Sequence, residues 1–124
     1  LIRGGARFIA TNLDPTVPTE DGLAPGTGSM IAALQTASGV TPTAIGKPGA
    51  AMFELAMELM DAQPATTAMI GDRLDTDILG AQRAGLKTIF VLSGSNKRAE
   101  AEPYAPDFIF NDLAALLDAW QTQL

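Results

Sequence analysis

Three carboxylates and one lysine are the groups of this chain best suited to chemistry. Asp72, Asp75 and Asp77 follow directly on the apolar run Ala68-Met69-Ile70-Gly71. Carboxylates crowded in this way repel one another unless something positive binds. A hard divalent cation that takes oxygen ligands, Mg²⁺ above all, suits them. The same residues also suit an ordinary helix start, with Asp75 as N-cap and Asp77 as a first-turn acid favoured by the helix dipole. Lys47 stands in Gly46-Lys47-Pro48. A solitary lysine is most often a solvated surface group. Beside a metal-binding carboxylate pair, it would help the metal neutralise a transferring phosphoryl group.

The elements that must position these residues are short. Thr66 to Ile70 reads as a buried strand and Thr76 onward has helical apolar spacing, so Asp72 sits at the carboxyl end of a strand. Open α/β sheets bind their ligands at that end. Upstream, Arg7 to Thr11 reads as a strand. Asn12 to Thr27, dense in proline and glycine, reads as an extended loop. A helix from Ser29 stops at Gly39, and Thr43-Ala44-Ile45 is a brief strand. Pro48 suits the first position of the next helix, which runs from Ala51 to Met60 with Met52, Phe53, Leu55, Ala56, Leu59 and Met60 on its apolar face. Lys87 to Leu92 is the clearest strand. A polar connection from Ser93 to Pro106 leads to a last strand, Phe108-Ile109-Phe110, and to a helix capped by Asn111 or Asp112. From Lys47 on, this alternation implies an α/β fold with a parallel sheet.

Composition narrows the chemistry. The 124 residues are 47% hydrophobic and 18% charged, which is a globular balance. Fourteen acidic residues against eight basic ones give a net charge of −6, which argues against nucleic-acid or anionic-membrane binding. Without cysteine or histidine, thiolate catalysis, cysteine-ligated zinc and imidazole acid–base chemistry are excluded. No apolar run approaches the roughly 18 residues of a membrane span. Leu1-Ile2-Arg3 opens no secretory leader, so a cytoplasmic location is expected. The start on Leu1 instead of methionine reads as a piece of a longer protein. No G-x-G-x-x-G follows any strand, which disfavours a dinucleotide binder.

Gly46-Lys47-Pro48, followed by Ile70-Gly71-Asp72-Arg73-Leu74-Asp75-Thr76-Asp77-Ile78, resembles the third and fourth motifs of the haloacid dehalogenase (HAD) superfamily. The closest branch is the capped 4-nitrophenylphosphatase, phosphoglycolate and pyridoxal phosphatase group. Phe8-Ile9-Ala10-Thr11-Asn12 with Asp14, Pro25-Gly26-Thr27-Gly28, Ala84-Gly85-Leu86-Lys87-Thr88-Ile89 and Leu92-Ser93-Gly94 match that branch as well. The resemblance implies the second half of a Rossmann-like HAD core, residues 46–124, preceded by the end of an α/β cap domain, residues 1–45. It implies a Mg²⁺-dependent phosphatase acting on a small phosphorylated metabolite. Lys47 resembles the lysine that steadies the phosphate and the aspartyl nucleophile. Asp72 resembles the direct Mg²⁺ ligand and Asp77 the second acid of the metal site, while Asp75 falls in the variable part of the motif and is read as a helix cap. Asp14, Val17 and Pro18 fall on the cap loop that approaches substrate. Some pyridoxal-phosphate-specific relatives carry histidine where Val17 stands, so that specificity is not expected.

The family's Asp-x-Asp-Gly nucleophile motif and its Ser/Thr second motif have no counterpart here. The expectation is therefore a phosphatase in the intact protein, forming an aspartyl-phosphate on an upstream aspartate, with this chain inactive alone. The alternatives are a non-catalytic metal- or phosphate-binding module, or a fragment that pairs as a homodimer or swapped assembly through an exposed half-sheet.

Overall fold

The computed structural model describes residues 1–122 and separates the chain into two units, Leu1–Gly49 and Ala50–Leu124. In the first, β1 (Ile9–Ala10) pairs in parallel with β4 (Thr43–Ala44). Between them lie β2 (Thr16–Thr19), β3 (Gly22–Pro25) and the helix α1 (Thr27–Ser38). Gly39, with φ 72°, closes α1 by donating its N–H to the Gln35 carbonyl, as expected of a left-handed stop.

The segment read as an extended loop instead contains an antiparallel hairpin, β2–β3, turning at Glu20-Asp21 with Thr19 opposite Gly22. Prolines are tolerated on two-stranded edges, where one side of each strand needs no ladder partner. Every residue of β2 is exposed, so no apolar alternation marks the strand. The hairpin's flanks are tied to the start of α1. Gly26 N–H donates to the Pro15 carbonyl at 2.8 Å, Gly28 N–H to the Asp14 carbonyl at 2.8 Å, and Ser29 Oγ to the Pro15 carbonyl at 2.6 Å.

The second unit follows the alternation read from the sequence. It runs α2 (Ala51–Leu59), β5 (Ala68–Gly71), a π-helical turn (Leu74–Ile78), α3 (Leu79–Arg83), β6 (Lys87–Val91), β7 (Phe108–Phe110) and α4 (Leu113–Gln121). The sheet is parallel throughout, in the order β5-β6-β7. Asp112 caps α4 through its Oδ1, which accepts the Ala115 N–H at 2.8 Å. Pro48 is not the first residue of α2. Gly46 to Gly49 forms a turn closed by a 2.9 Å bond from Gly49 N–H to the Gly46 carbonyl, the Lys47–Pro48 peptide is cis, and α2 begins at Ala51.

Strand alternation and register place Met69, Thr88, Phe90 and Ile109 on one face of this sheet. Two apolar clusters form there. Phe53, Met57, Ala81 and Leu86 pack with Met69, and Leu74, Ile78, Phe90 and Ala101 pack with Leu92, Tyr104 and Ile109. Fully burying a side chain such as Phe90, Leu74 or Ile78 contributes about 1.5–3 kcal/mol each. On α2 only Phe53 and Met57 are buried, so Met52, Leu55, Leu59 and Met60 of the expected apolar face are exposed. Among the described residues, no helix is long and apolar enough to cross a membrane.

Candidate metal and phosphate site

The carboxyl ends of β5 and β6 form one corner of the second unit. β5 stops at Gly71, and the chain then passes through Asp72 and Arg73 into the π-helical turn. β6 stops at Val91, and the following loop crosses back over Asp72. Ser95 N–H donates to Asp72 Oδ2 at 2.7 Å, and Asn96 N–H donates to the Asp72 carbonyl at 3.3 Å. Gly94 makes this approach feasible, because a Cβ there would overlap the Asp72 carboxylate. The Ser95 backbone hydrogen bond holds the Asp72 carboxyl below its ordinary pKa. Partial burial opposes the shift, and the Ser95 side chain and Arg73 reinforce it. The group is thus an ionised, half-exposed oxygen donor at the ligand-binding end of a parallel sheet.

Asp77 lies beneath the same corner. Its side chain packs against Gly71, where a Cβ would overlap it, and its Oδ2 accepts the Arg73 N–H at 3.2 Å. Asp77 is 5% exposed. Asp75 is not a helix cap. The turn starts at Leu74, earlier than the apolar spacing suggests, and Asp75 lies within its first turn as an exposed side chain. There Asp75 Oδ2 meets Arg73 Nη2 at 3.3 Å, while Asp77 reaches back to the N–H of Arg73, the residue that occupies the N-cap position. The early start follows from the π geometry, in which the Leu79 N–H reaches back five residues to the Leu74 carbonyl.

Asp72 and Asp77 therefore gather at one strand end. Asp14, Val17, Pro18 and Lys47 belong to the other unit. Val17 and Pro18 are exposed on β2, Asp14 is half-buried just before it, and Lys47 is exposed in the turn after β4. Among the described residues, no three or more carboxylates group closely enough to form a complete metal cage. Mg²⁺ is typically held by one or two carboxylates together with water and substrate phosphate, so a two-carboxylate corner fits it.

Sequence reasoning passed over Ser95, Asn96 and Glu100, which lie in the segment read only as a polar connection. Asn96 Oδ1 accepts the Leu74 N–H at 3.0 Å, its Nδ2 donates to Glu100 Oε1 at 3.3 Å, and Glu100 Oε2 accepts the Lys97 N–H at 2.6 Å. The available signal was an acid three residues after Lys97, the spacing at which a side chain in the first turn reaches back to the N-cap N–H, as Glu100 does here.

A parallel sheet with paired acids beyond its first strand's carboxyl end is the arrangement of a HAD core, and sequence comparison agrees. The HAD-hydrolase-like family matches residues 44–116, and the chain belongs to that family. It is 44% identical over 122 residues to the dihydroxyacetone phosphatase of Corynebacterium glutamicum, covering 97% of this chain and 44% of that protein. It is 49% identical over 119 residues to the D-glycerol 3-phosphate phosphatase of Mycobacterium tuberculosis, covering 93% of this chain and 33% of that protein. The crystal structure of the M. tuberculosis glycerol phosphate phosphatase in complex with magnesium superposes with a TM-score of 0.81 at 48% identity, over 93% of this chain and 36% of that one. The same enzyme has also been solved with calcium. The chain thus spans less than half the length of these relatives. Its architecture is the α/β one of a capped HAD phosphatase, with a parallel Rossmann-like core sheet and a separate cap-like region.

Proposed function

We propose that this chain is part of a Mg²⁺-dependent phosphatase that hydrolyses a small phosphorylated metabolite. Residues 1–45 are the end of its cap and residues 46–124 the second half of its core. One observation carries the reading: Asp72 is held ionised at the carboxyl end of β5 by the Ser95 amide, with Asp77 folded against Gly71 beside it. Asp72 is the direct ligand for Mg²⁺. Asp77 supports the site by fixing the Arg73 amide and so the path of the Asp72 loop. When bound, Mg²⁺ supplies Lewis-acid neutralisation of the phosphoryl oxygens. The Lys47 ammonium offers the phosphate a second positive contact and steadies the attacking carboxylate. Asp14, Val17 and Pro18 contribute to the cap surface that selects the rest of the substrate.

The attacking group in this reading is an aspartate outside these 124 residues. Its carboxylate oxygen bonds to phosphorus as the ester oxygen leaves, and water then releases phosphate from the aspartyl-phosphate. The names of the relatives point to three-carbon phosphates as the first substrates to try, dihydroxyacetone phosphate and glycerol 3-phosphate.

The experiment is hydrolysis of these esters and of 4-nitrophenyl phosphate by the 124-residue chain and by the intact protein. The intact protein is expected to turn over with Mg²⁺ and to lose about a hundredfold to a thousandfold on Asp72→Ala or Lys47→Ala, the scale of losing a main charge-stabilising group. The chain alone is expected to be inactive. Turnover by the pure chain that vanishes with Asp72→Ala would overturn the placement of the nucleophile.

A further inference from the structure

The loop after β6 does more than cover Asp72. Three consecutive backbone groups of the Asp72 loop are each bound from outside their own strand. Asn96 N–H binds the Asp72 carbonyl, Asp77 Oδ2 binds the Arg73 N–H, and Asn96 Oδ1 binds the Leu74 N–H. Asn96 thus grips the loop at two points, two residues apart, as a neighbouring strand would. The residue before it, Ser95, delivers its N–H to the Asp72 carboxylate.

The orientation of the Asn96 amide is fixed by Glu100. An ionised carboxylate only accepts hydrogen bonds, so Nδ2 must face Glu100 Oε1, which leaves Oδ1 facing the Leu74 N–H. Glu100 is held in turn by the Lys97 N–H on its other oxygen. Each donor meets an acceptor along the whole chain of contacts.

We infer that Asn96, oriented by Glu100, is a positioning residue that holds Asp72 in its ligand conformation. This rests on the reading of Asp72 as a metal ligand, and it predicts a donor–acceptor logic that simple packing would not produce. Asn96→Ala removes the side-chain half of the grip, on the Leu74 N–H, while keeping the backbone bond to the Asp72 carbonyl and leaving the charge unchanged. Glu100→Gln alone must set two donors face to face, at Asn96, at Lys97 or, if the Asn96 amide turns over, at the Leu74 N–H. The pair Asn96→Asp with Glu100→Gln reverses the polarity of the side-chain bond, keeps an acceptor for Leu74 N–H and another for Lys97 N–H, and leaves the net charge unchanged.

The test uses the isotope-labelled 124-residue chain, with Mn²⁺ as a paramagnetic probe and amide exchange as a metal-free readout. Mn²⁺ is expected to broaden the amides around Asp72 and Ser95, and Asp72→Ala to abolish this. Asn96→Ala and Glu100→Gln are each expected to weaken Mn²⁺ binding about 10-fold to 100-fold, the usual cost of losing a partner that orients a ligand. Both are expected to accelerate exchange at Ser95 and Leu74, and the double variant to restore affinity and protection. Wild-type affinity and wild-type Ser95 exchange in Asn96→Ala would overturn the inference. So would a double variant no better than the single ones. Broadening that survives Asp72→Ala would instead overturn the metal reading, and Ser95 and Leu74 exchange across the same variants would still decide the role of Asn96.

Discussion

At Gly94 a single methyl group decides whether Asp72 keeps its place. The Cβ of an alanine there would overlap the Asp72 carboxylate, so either the side chain swings away or the loop lifts, and the Ser95 hydrogen bond is lost in both cases. A hydrogen bond to a charged group contributes about 1.5–3 kcal/mol. Gly94→Ala is therefore expected to lower stability by about that much in chemical denaturation and to weaken Mn²⁺ binding at least about tenfold. A variant that binds as tightly as the wild type would show that this close packing does not hold Asp72. The position of Asp72 was legible because an apolar run ends abruptly just before it. The role of Asp75 was misread because a π-helical turn starts two residues ahead of the apolar spacing, and the nearest acid then looks like a cap. Ser95 and Asn96 were not legible, because one uses its backbone N–H and the other bridges 22 residues to Leu74. No local pattern encodes a contact of that kind.

Between elements, β6 and β7 are joined by a reciprocal clasp around a buried hydroxyl. Asp107 Oδ2 accepts from Thr88 N–H at 2.9 Å and from Thr88 Oγ1 at 2.8 Å, and Asp107 N–H donates back to Thr88 Oγ1 at 2.9 Å. Lys87 Nζ adds a 2.8 Å contact to Asp107 Oδ1. Thr88 is fully buried, so Asp107→Ala leaves its N–H and its hydroxyl proton without their acceptor, at an expected cost of about 1–3 kcal/mol. The Lys87 and Thr88 hydrogen bonds lower the Asp107 carboxyl from 3.8 to about 2. A carboxyl with a depressed folded-state pKa stabilises the fold above its unfolded value and loses that contribution on protonation. Its share of stability is therefore complete above about pH 4 and disappears as pH falls toward 2. Asp107→Asn should flatten the acid limb of a stability-against-pH curve in that window, and an unchanged limb would remove Asp107 from the acid response. The β6 and β7 strands were plain in the sequence from their β-branched and aromatic runs. The clasp was not, since Asp107 there looks like any acid in a loop. The β2–β3 hairpin escaped for the opposite reason: its prolines and its side chains, exposed at every position but the half-buried Ala24, carry none of the alternation by which strands are recognised.

The whole chain presents more apolar surface than a self-contained α/β domain should. Parallel sheets are normally covered on both faces. Here the described clusters build on the face of Met69 and Phe90, while on the opposite face Ile89 and Val91 of the central strand are buried but the flanking Ile70 is 43% and Phe108 53% exposed. Leu59 on α2 is 78% exposed and Trp120 on α4 is 63% exposed. β5 has one neighbour in the sheet, which leaves its other edge open among the described residues. Helical periodicity identified α2 correctly but put Met52, Leu55, Leu59 and Met60 on its buried side. Spacing shows which residues want cover, not whether the cover lies within the same 124 residues. Large exposed apolar surface favours association. The purified chain is accordingly expected to bind a hydrophobic dye and to show a light-scattering mass above that of one chain, rising with concentration. Leu59→Lys should reduce both signals while shifting stability by no more than about 0.5 kcal/mol, because an exposed side chain contributes little to the fold. A clean monomer at high concentration that binds no dye would mean these faces are covered within the chain itself. A Leu59→Lys variant that associates as readily as the wild type would move the contact away from α2, to the open β5 edge or the Ile70 and Phe108 face.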